Sequence, residues 1–485
     1  MDAETILRIR PALTSYLHEF DGCLGRVTNQ SHAAAYVVGQ LSDLDRKSIE
    51  PMADAAGVPP RTLQEFLGLL KWDESAARDR LQRRVARRHG HPHSVGIIDE
   101  TTCAKKGDRT ACVQKQYCGS LGKLENCVAT VHLGYAADDF HTLLDGELFV
   151  PEAWAADAAR RQRAGIPEEV TYRPKWEIAA GQIRRALGNG VRFAWLTFDE
   201  GYGGKPPFLR EIDALGQQYV AEIPRSFVGW TVEPEVLHRA HHRDKQVGRS
   251  RRFPRLKVRN TPAAEVCEIL KHSSILRKQS WTPYHVKEGE KGPMVWEAKC
   301  IPFWIKDEQG LPTRPHRLLI ARNVLNSQEV KYFLSNAPES ATVETLLLVA
   351  FGRWRIERCF EDGKTELGLD HFEVRSWRSI SRHLILTAVS HLFLSEFREE
   401  HGGKKGGPHG RPGPHRHARP GAAVVGRRPL LPSAGRSDRR AIDVNAGPQR
   451  AGACVASEEN NPAFAGPRHH AQEPTLLPMA EGIAL

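Results

Sequence analysis

Apolar positions recur every three to four residues through about the first 88 positions of the chain. ETILRIRPALTSYLHEF, HAAAYVVGQLSDL and RTLQEFLGLLKWDESAARDRLQRRVARRH each carry this period of an amphipathic helix. Pro51 and the Pro59–Pro60 pair break the run into short helices. From residue 94 the period changes. SVGIID, ENCVATVHLGYA and HTLLDGELFV are apolar or alternating runs of strand length. KWEIAAGQIRRALGNG reads as a helix stopped by Gly188 and Gly190. FAWLTFD is then a strand, PPFLREIDALGQ a helix and QYVAEIP another strand. This order predicts an α/β protein with a mixed sheet and flanking helices.

Between residues 224 and 340 the helical signal weakens. WTPYHVKEG, GPMVWEAKCIPFWIKD and HRLLIARNV read as strands joined by turns containing Gly and Pro. Helices are expected again at SQEVKYFLS, at TVETLLLVAFGRWRIERCFEDGK and at SRHLILTAVSHLFLSEFREE. After about residue 403 the pattern stops. The remainder is rich in Gly, Pro, Arg, His and Ala, and Phe464 is its only aromatic residue. Such a segment does not bury enough apolar surface to offset chain entropy. Two readings stand for it: an out-of-frame translation of a GC-rich coding region, or a natural basic disordered tail. The chain is thus expected to divide into a helical part at 1–90, a sheet core at 91–223, a β-rich insertion at 224–340, the rest of the core at 341–403 and the tail at 404–485. The helical part serves either DNA binding or dimerisation.

Charge narrows the partners. The chain has 485 residues and a net charge of +11, a balance that favours a polyanion. No run of about 18 apolar residues occurs, and the charged N-terminus lacks a signal-peptide core, so a cytoplasmic protein without membrane attachment is expected. The 9 cysteines are odd in number and thinly spread, against a secreted disulfide framework. Cys103, Cys112, Cys118 and Cys127 cluster without a C-x-x-C spacing and are read as reduced thiols rather than a zinc site. His89, His91 and His93 are interleaved with Gly90 and Pro92 and are read as a solvated linker.

The chemistry lies in three acids. Asp99 follows SVGII and Asp199 follows FAWLTF, each at the end of an expected strand. Arg353, Glu357 and Lys364 fall at about 0°, 40° and 20° around one helix, so a carboxylate sits between two cations on a single face. Phosphodiester chemistry needs an activated oxygen nucleophile, a stabilised leaving oxygen and neutralised phosphate charge. Carboxylates suit Mg²⁺, which prefers oxygen ligands and keeps several waters. Taken singly, each acid has a simpler reading, as a turn former or a surface ion pair. The combination is what points to a metal-dependent phosphoryl-transfer site.

Three blocks resemble bacterial insertion-sequence transposases of the DDE superfamily, in the group with a β-rich insertion before the final glutamate. GIIDETTCAKKG is similar to the first-aspartate strand and LTFDEGYGG to the second-aspartate block. RWRIERCFEDGKTELGLD matches the Y-x2-R-x3-E-x6-K signature at Arg353, Glu357 and Lys364, with Ala350 in place of the tyrosine and Phe351 beside it. QKQYCGSLGKLENC is also family-like. More than a hundred residues separate Asp199 from Glu357, a gap that the β-rich insertion explains.

The resemblance implies a ribonuclease-H-like fold with Asp99, Asp199 and Glu357 as catalytic residues and ligands of Mg²⁺, for which Mn²⁺ substitutes. It implies cleavage of terminal inverted repeats and joining of the 3′-OH to target DNA, by a homodimer in the end complex. Arg353 and Lys364 are expected on the DNA backbone. Lys105 and Lys106 are candidate phosphate contacts in the turn after Asp99, and Arg249, Arg251 and Arg252 in the basic run at 238–259 are candidate DNA contacts. Glu361, one turn beyond Glu357, is the rival third acid. Trp230, Trp281, Trp296 and Trp304 are read first as core, and secondly as residues that stack on a flipped base in a hairpin-ended intermediate. The alternatives in function are a same-fold nuclease without strand transfer and an end-binding protein without catalysis.

Overall fold

The computed structural model describes residues 3–239, 252–259, 261–289 and 292–401. The tail at 404–485 and the candidates Arg249 and Arg251 lie outside them. Six helices open the chain: α1 (Ala3–His18), α2 (Asp21–Leu24), α3 (Val27–Leu41), α4 (Ile49–Ala56), α5 (Pro60–Gly68) and α6 (Glu74–Arg88). Their boundaries follow local chemistry. Gly57, at φ +67°, ends α4 in the left-handed conformation that a side chain disfavours. Pro60 opens α5, where its missing amide costs no hydrogen bond. The Asp73 carboxylate accepts the Ala76 amide at 2.8 Å and starts α6.

The sheet begins with β1 (Val95–Ala104), β2 (Gln114–Cys118), β3 (Lys123–Ala137) and β4 (Phe140–Leu148). Two short helices, α7 (Glu152–Ala155) and α8 (Ala158–Ala164), lead to α9 (Lys175–Gly188). Next come β5 (Trp195–Phe198), α10 (Glu200–Gly203), α11 (Pro206–Ala214) and β6 (Tyr219–Ile223). Short strands β7 (Val228–Gly229) and β8 (Val236–Leu237) pair with β10 (Ala264–Glu265) and β9 (Arg255–Leu256) respectively. Helices α12 (Val266–His272) and α13 (Ser274–Lys278) precede four longer strands, β11 (Thr282–Gly289), β12 (Gly292–Phe303), β13 (His316–Asn323) and β14 (Val330–Ser335). The last described elements are α14 (Val343–Gly352), α15 (Trp354–Thr365) and α16 (Trp377–His401).

Among the described residues one large sheet runs in the order β11-β12-β13-β14-β6-β5-β1-β3-β2, with β4 also on β3. The β1–β5 and β5–β6 pairs are parallel, and their flanking neighbours are antiparallel. The fold is therefore mixed α/β. SQEVKYFLS corrects the sequence reading, because its VKYFLS part is strand β14 instead of a helix. Val330, Tyr332 and Phe333 favour a pleated surface, and pairing of Ser335 with Val220 of β6 overrides the local pattern. Through this pairing β11 to β14 extend the main sheet.

Helix α16 joins the six opening helices to the sheet, and residues from Leu13 to Phe397 share one hydrophobic core. Most positions of α16 are buried, including polar ones, and each buried polar side chain makes at least one bond. Arg382 donates to the carbonyls of Phe66, Leu67 and Leu70 and stands over the Trp72 ring, so it serves the open end of α5. His383 meets the Tyr36 hydroxyl at 2.8 Å, and Gln40 bridges Thr387 and Ser390. Arg84 of α6 binds Glu396 at 2.6 Å within the core. His89 departs from the linker reading: it is half-buried, stacked on Phe140 at 3.9 Å, and 3.1 Å from Glu396.

Two of the four tryptophans read as core are buried, and Trp281 and Trp304 are half-buried. Trp230 and Trp296 are buried, while Trp281 lies under Lys299 and Arg322. Phe351, beside Ala350 at the signature's tyrosine position, packs on Trp296 at 4.7 Å. Cys103, Cys112, Cys118 and Cys127 are buried free thiols.

Asp213 anchors α11 to the ends of β13 and β14. Asn336 donates to it at 2.7 Å and Arg314 at 2.5 Å, with His316 3.4 Å away. Burial alone would raise this carboxyl; nearby His316 and hydrogen bonds from Arg314 and Asn336 outweigh it and hold it down at about 2. A lowered native value stabilises the fold above the unfolded value of about 3.9 and loses that effect as pH falls toward the native one. The parent should therefore exceed D213N in stability by about 2 kcal/mol between pH 5 and 7. Urea unfolding followed across pH should show the gap closing below about pH 4, and a gap independent of pH would count against this anchor.

Candidate active site

β1 and β5 lie in parallel register, with Ile97 beside Thr197 and Ile98 beside Phe198. The next residue along each chain is an aspartate, Asp99 and Asp199. Side chains alternate across a sheet, so Val95, Ile97 and Asp99 share a face with Trp195, Thr197 and Asp199. Helices α14 and α15 pack on that face, where Val95 and Trp195 meet Leu346 and Leu347 in one apolar cluster. Helices α9 and α11 cover the other face, with Phe198 against Phe208 at 4.9 Å. Glu100 points there and pairs with Lys175 at 2.6 Å, which separates it from the two aspartates.

Each aspartate is fixed by backbone amides. The Glu100 amide donates to Asp99 Oδ1 at 2.7 Å. Asp199 caps α10, accepting the Gly201 amide at 3.0 Å and the Tyr202 amide at 3.4 Å. Gly203 is required by contact: a Cβ there would stand 2.0 Å from the Glu222 carbonyl of β6. Burial pushes the Asp99 carboxyl up to about 7; the Arg353 charge opposes the rise and nearby Asp199 adds to it. Asp199 is also raised, by burial first, against the pull of Arg353. Two desolvated carboxylates thus share one basic partner.

Arg353 is that partner. It occupies the junction of α14 and α15 in helical conformation. Its Nη1 reaches Asp99 Oδ2 at 2.6 Å, and its Nη2 lies 3.4 Å from Glu357 Oε1. Glu357 is 63% exposed, so it faces solvent from the far side of the guanidinium. Glu361 instead pairs with Arg358 at 2.8 Å, and Asp362 turns inward to Arg398 at 2.5 Å. Among the acids of α15, Glu357 is the one bonded to Arg353. Lys364 lies beside β1, with its Nζ 3.4 Å from the Thr102 carbonyl.

Lys105 does not behave as a phosphate contact in this conformation. Its ammonium donates to the carbonyls of Asp370 and Phe372 at 2.9 and 2.7 Å and sits 3.4 Å from the Phe372 ring centre. A turn lysine reads as solvated because the segment that receives it lies far away in sequence. Lys106 and Arg252 are exposed.

Other residues near the acids were not singled out from the sequence. His132 stands opposite Asp99 in the β1–β3 register, buried, with its pKa driven down to about 3 by desolvation. Gly146 leaves room for its ring, which a Cβ would meet at 2.7 Å. Tyr202 is buried with an unpartnered hydroxyl, and its ionisation is suppressed by burial and by Glu100, Asp99 and Asp199. Lys287 of β11 stands 4.2 Å over the Trp354 ring, close enough to Glu357 to feel its charge. Tyr202 had a signal, three residues after Asp199. Lys287 and His132 had none, since both arrive through strand pairing.

In chemical terms Asp99, Asp199 and Glu357 offer only oxygen donors, the kind Mg²⁺ takes. The half-buried acidic pair shares a single guanidinium, which also suits a divalent cation. Among the described residues no three His, Cys, Asp or Glu side chains are spaced to hold an ion as they stand. The two aspartates fit such a group, and Glu357 stands across Arg353 from them.

A mixed sheet that draws two acids from distant segments onto one face defines the class, a nuclease-type α/β protein. A family profile described as DDE superfamily endonuclease matches residues 19–293, more than half of the chain, and the chain belongs to that family. The matched residues include Asp99 and Asp199, and α15 lies beyond them. The chain is also similar to a probable transposase for insertion sequence element IS701 from Microchaete diplosiphon, with 34% identity over 210 residues. The alignment covers 42% of this chain and 50% of that relative, so the chain spans about half of the relative's length.

Removing the guanidinium leaves Asp99 desolvated without its basic partner. R353M should cost about 1–3 kcal/mol at pH 8, measured by urea unfolding. In a D99N background the same substitution should cost much less, because the carboxylate that holds Arg353 most closely is already gone. Equal costs in both backgrounds would uncouple Arg353 from the acidic pair.

Proposed function

We propose that this chain is a DDE transposase that cleaves the ends of an insertion sequence and joins the freed 3′-OH to target DNA. The observation that carries this reading is the convergence of Asp99 and Asp199 under Arg353, in a chain that belongs to the DDE superfamily endonucleases. Its sheet has the acids on central parallel strands, which supports a ribonuclease-H-like reading of the core. The similarity to a probable insertion-sequence transposase supports DNA ends as substrate.

Asp99, Asp199 and Glu357 would hold the metal, Mg²⁺ or Mn²⁺. When bound, such ions activate the attacking oxygen and neutralise charge on the phosphate and leaving oxygen. The protein's own part is positional. Backbone amides from Glu100, Gly201 and Tyr202 fix the orientation of the two aspartates. Lys175 holds Glu100 on the opposite face, so it does not compete. Arg353 balances the acidic pair, and its guanidinium lies where it also reaches a phosphate oxygen of a docked strand. Lys364 and Lys106 add positive charge along the same edge, while Lys105 acts as an internal tie. Two copies process two ends together, which makes the active form a dimer.

The test is a nicking and joining assay on the element's own ends in Mg²⁺, with D99A, D199A and E357A beside the parent. Each substitution should lower both products by about a thousandfold or more while circular dichroism stays unchanged. Full activity in any one variant removes that residue from the set. Cleavage without joining by the parent would mark a nuclease instead.

A further inference from the structure

β2 and β3 form a hairpin at the edge of the sheet, with Cys118 paired to Lys123 across the turn at 119–122. Near its tip Tyr117 and Leu124 are directly opposed, and they are 63% and 64% exposed. Leu121 in the turn is 49% exposed. Adjacent large apolar side chains in water are costly unless something covers them. Lys115 is exposed on the same face as Tyr117, two residues away, while Lys123 lies on the opposite face by alternation, 3.4 Å from Glu125.

Register places this patch relative to the acids. His132 stands opposite Asp99, and Leu124 lies eight residues further along β3. An even separation keeps Leu124, and Tyr117 opposite it, on the face that carries Asp99 and α15. At about 3.3 Å per residue the patch is roughly 26 Å from Asp99 along the strand. That equals the length of about seven or eight base pairs of duplex. Lys364, beside Thr102, stands between the acids and the hairpin. An apolar pair on the active face and at duplex distance, with Lys115 beside it and Lys364 toward the acids, has charge that complements DNA.

We propose that the β2–β3 hairpin is a DNA-contact arm, setting Tyr117 and Leu124 into a groove about seven or eight base pairs from the scissile phosphate. Lys115 then lies on a flanking phosphate. The arm rests on the transposase reading above, and it adds a second contact that fixes how the duplex leaves the acids.

The experiment measures binding of the full chain to duplexes carrying the element's own end, by fluorescence anisotropy at several salt concentrations. Duplexes are shortened in turn on either side of the scissile phosphate. On one side, shortening below about seven base pairs should cost the parent about tenfold in affinity. Y117S/L124S, which alters only exposed side chains, should lose a similar factor on the long duplex and nothing further on the short one. K115Q should reduce the salt dependence by about one phosphate contact. Unchanged long-duplex affinity in Y117S/L124S overturns the arm while leaving the transposase reading intact. Sedimentation that shows Y117S/L124S falling from dimer to monomer with DNA affinity retained also overturns it, and assigns the patch to a second copy. A parent that binds no duplex overturns both readings.

Discussion

The parallel register of β1 and β5 is the constraint on which the rest of the site depends. It sets Asp99 beside Asp199 on one face, in a place where burial disfavours both charges. Two carboxylates so placed persist only with compensation. The surrounding structure is arranged accordingly. Amides point at both acids, Lys175 draws Glu100 to the other face, and Arg353 enters from the junction of α14 and α15. Gly203 belongs to the same arrangement, because its lack of a side chain lets the turn after Asp199 close onto β6.

Arg353 can hold this place only if α15 is fixed, and α16 fixes it. Asp362 on α15 is bonded by Arg398 of α16 and stands near His141 of β4. Burial would raise the Asp362 carboxyl, but nearby His141 and the Arg398 charge hold it well below the ordinary range. It therefore remains a charged internal tie. On the next face Ile356 and Phe360 pack against Gly134 and His132 of β3. These contacts leave Glu357 outward and Arg353 inward. The same α16 is held by the opening helices through Arg382, His383 and Glu396, so those helices bear on the geometry of the acids without touching them.

How much of this was legible in the sequence depended on range. Asp99 and Asp199 were legible because each ends an apolar strand-length run, and Arg353 and Glu357 because helical spacing is local. The mixed α/β class followed from the order of such runs. Whatever arrives through distant pairing was not legible. VKYFLS looks helical until β6 is beside it, and Lys105 looks solvated until the carbonyls of Asp370 and Phe372 receive it. His89 belongs to a Gly- and Pro-interrupted stretch, and only the fold reveals Phe140 beneath its ring. The tryptophans illustrate the converse, since residue type alone favoured the core and Trp230 and Trp296 are buried there.

One consequence concerns Arg353 itself. A guanidinium has five N–H donors in a fixed plane. Here Nη1 is committed to Asp99 and Nη2 faces Glu357 across 3.4 Å. The shorter bond joins the more buried partner, so Asp99 holds the arginine more firmly than Glu357 does. A cation that took over compensation of the two aspartates would remove the reason for that bond and release the same donors toward a phosphate. Arg353 would then be a basic partner of the acids in the conformation described and a partner of the substrate once they are otherwise neutralised. Both roles call for an arginine, because a lysine's single ammonium does not span Asp99 and Glu357 in one plane.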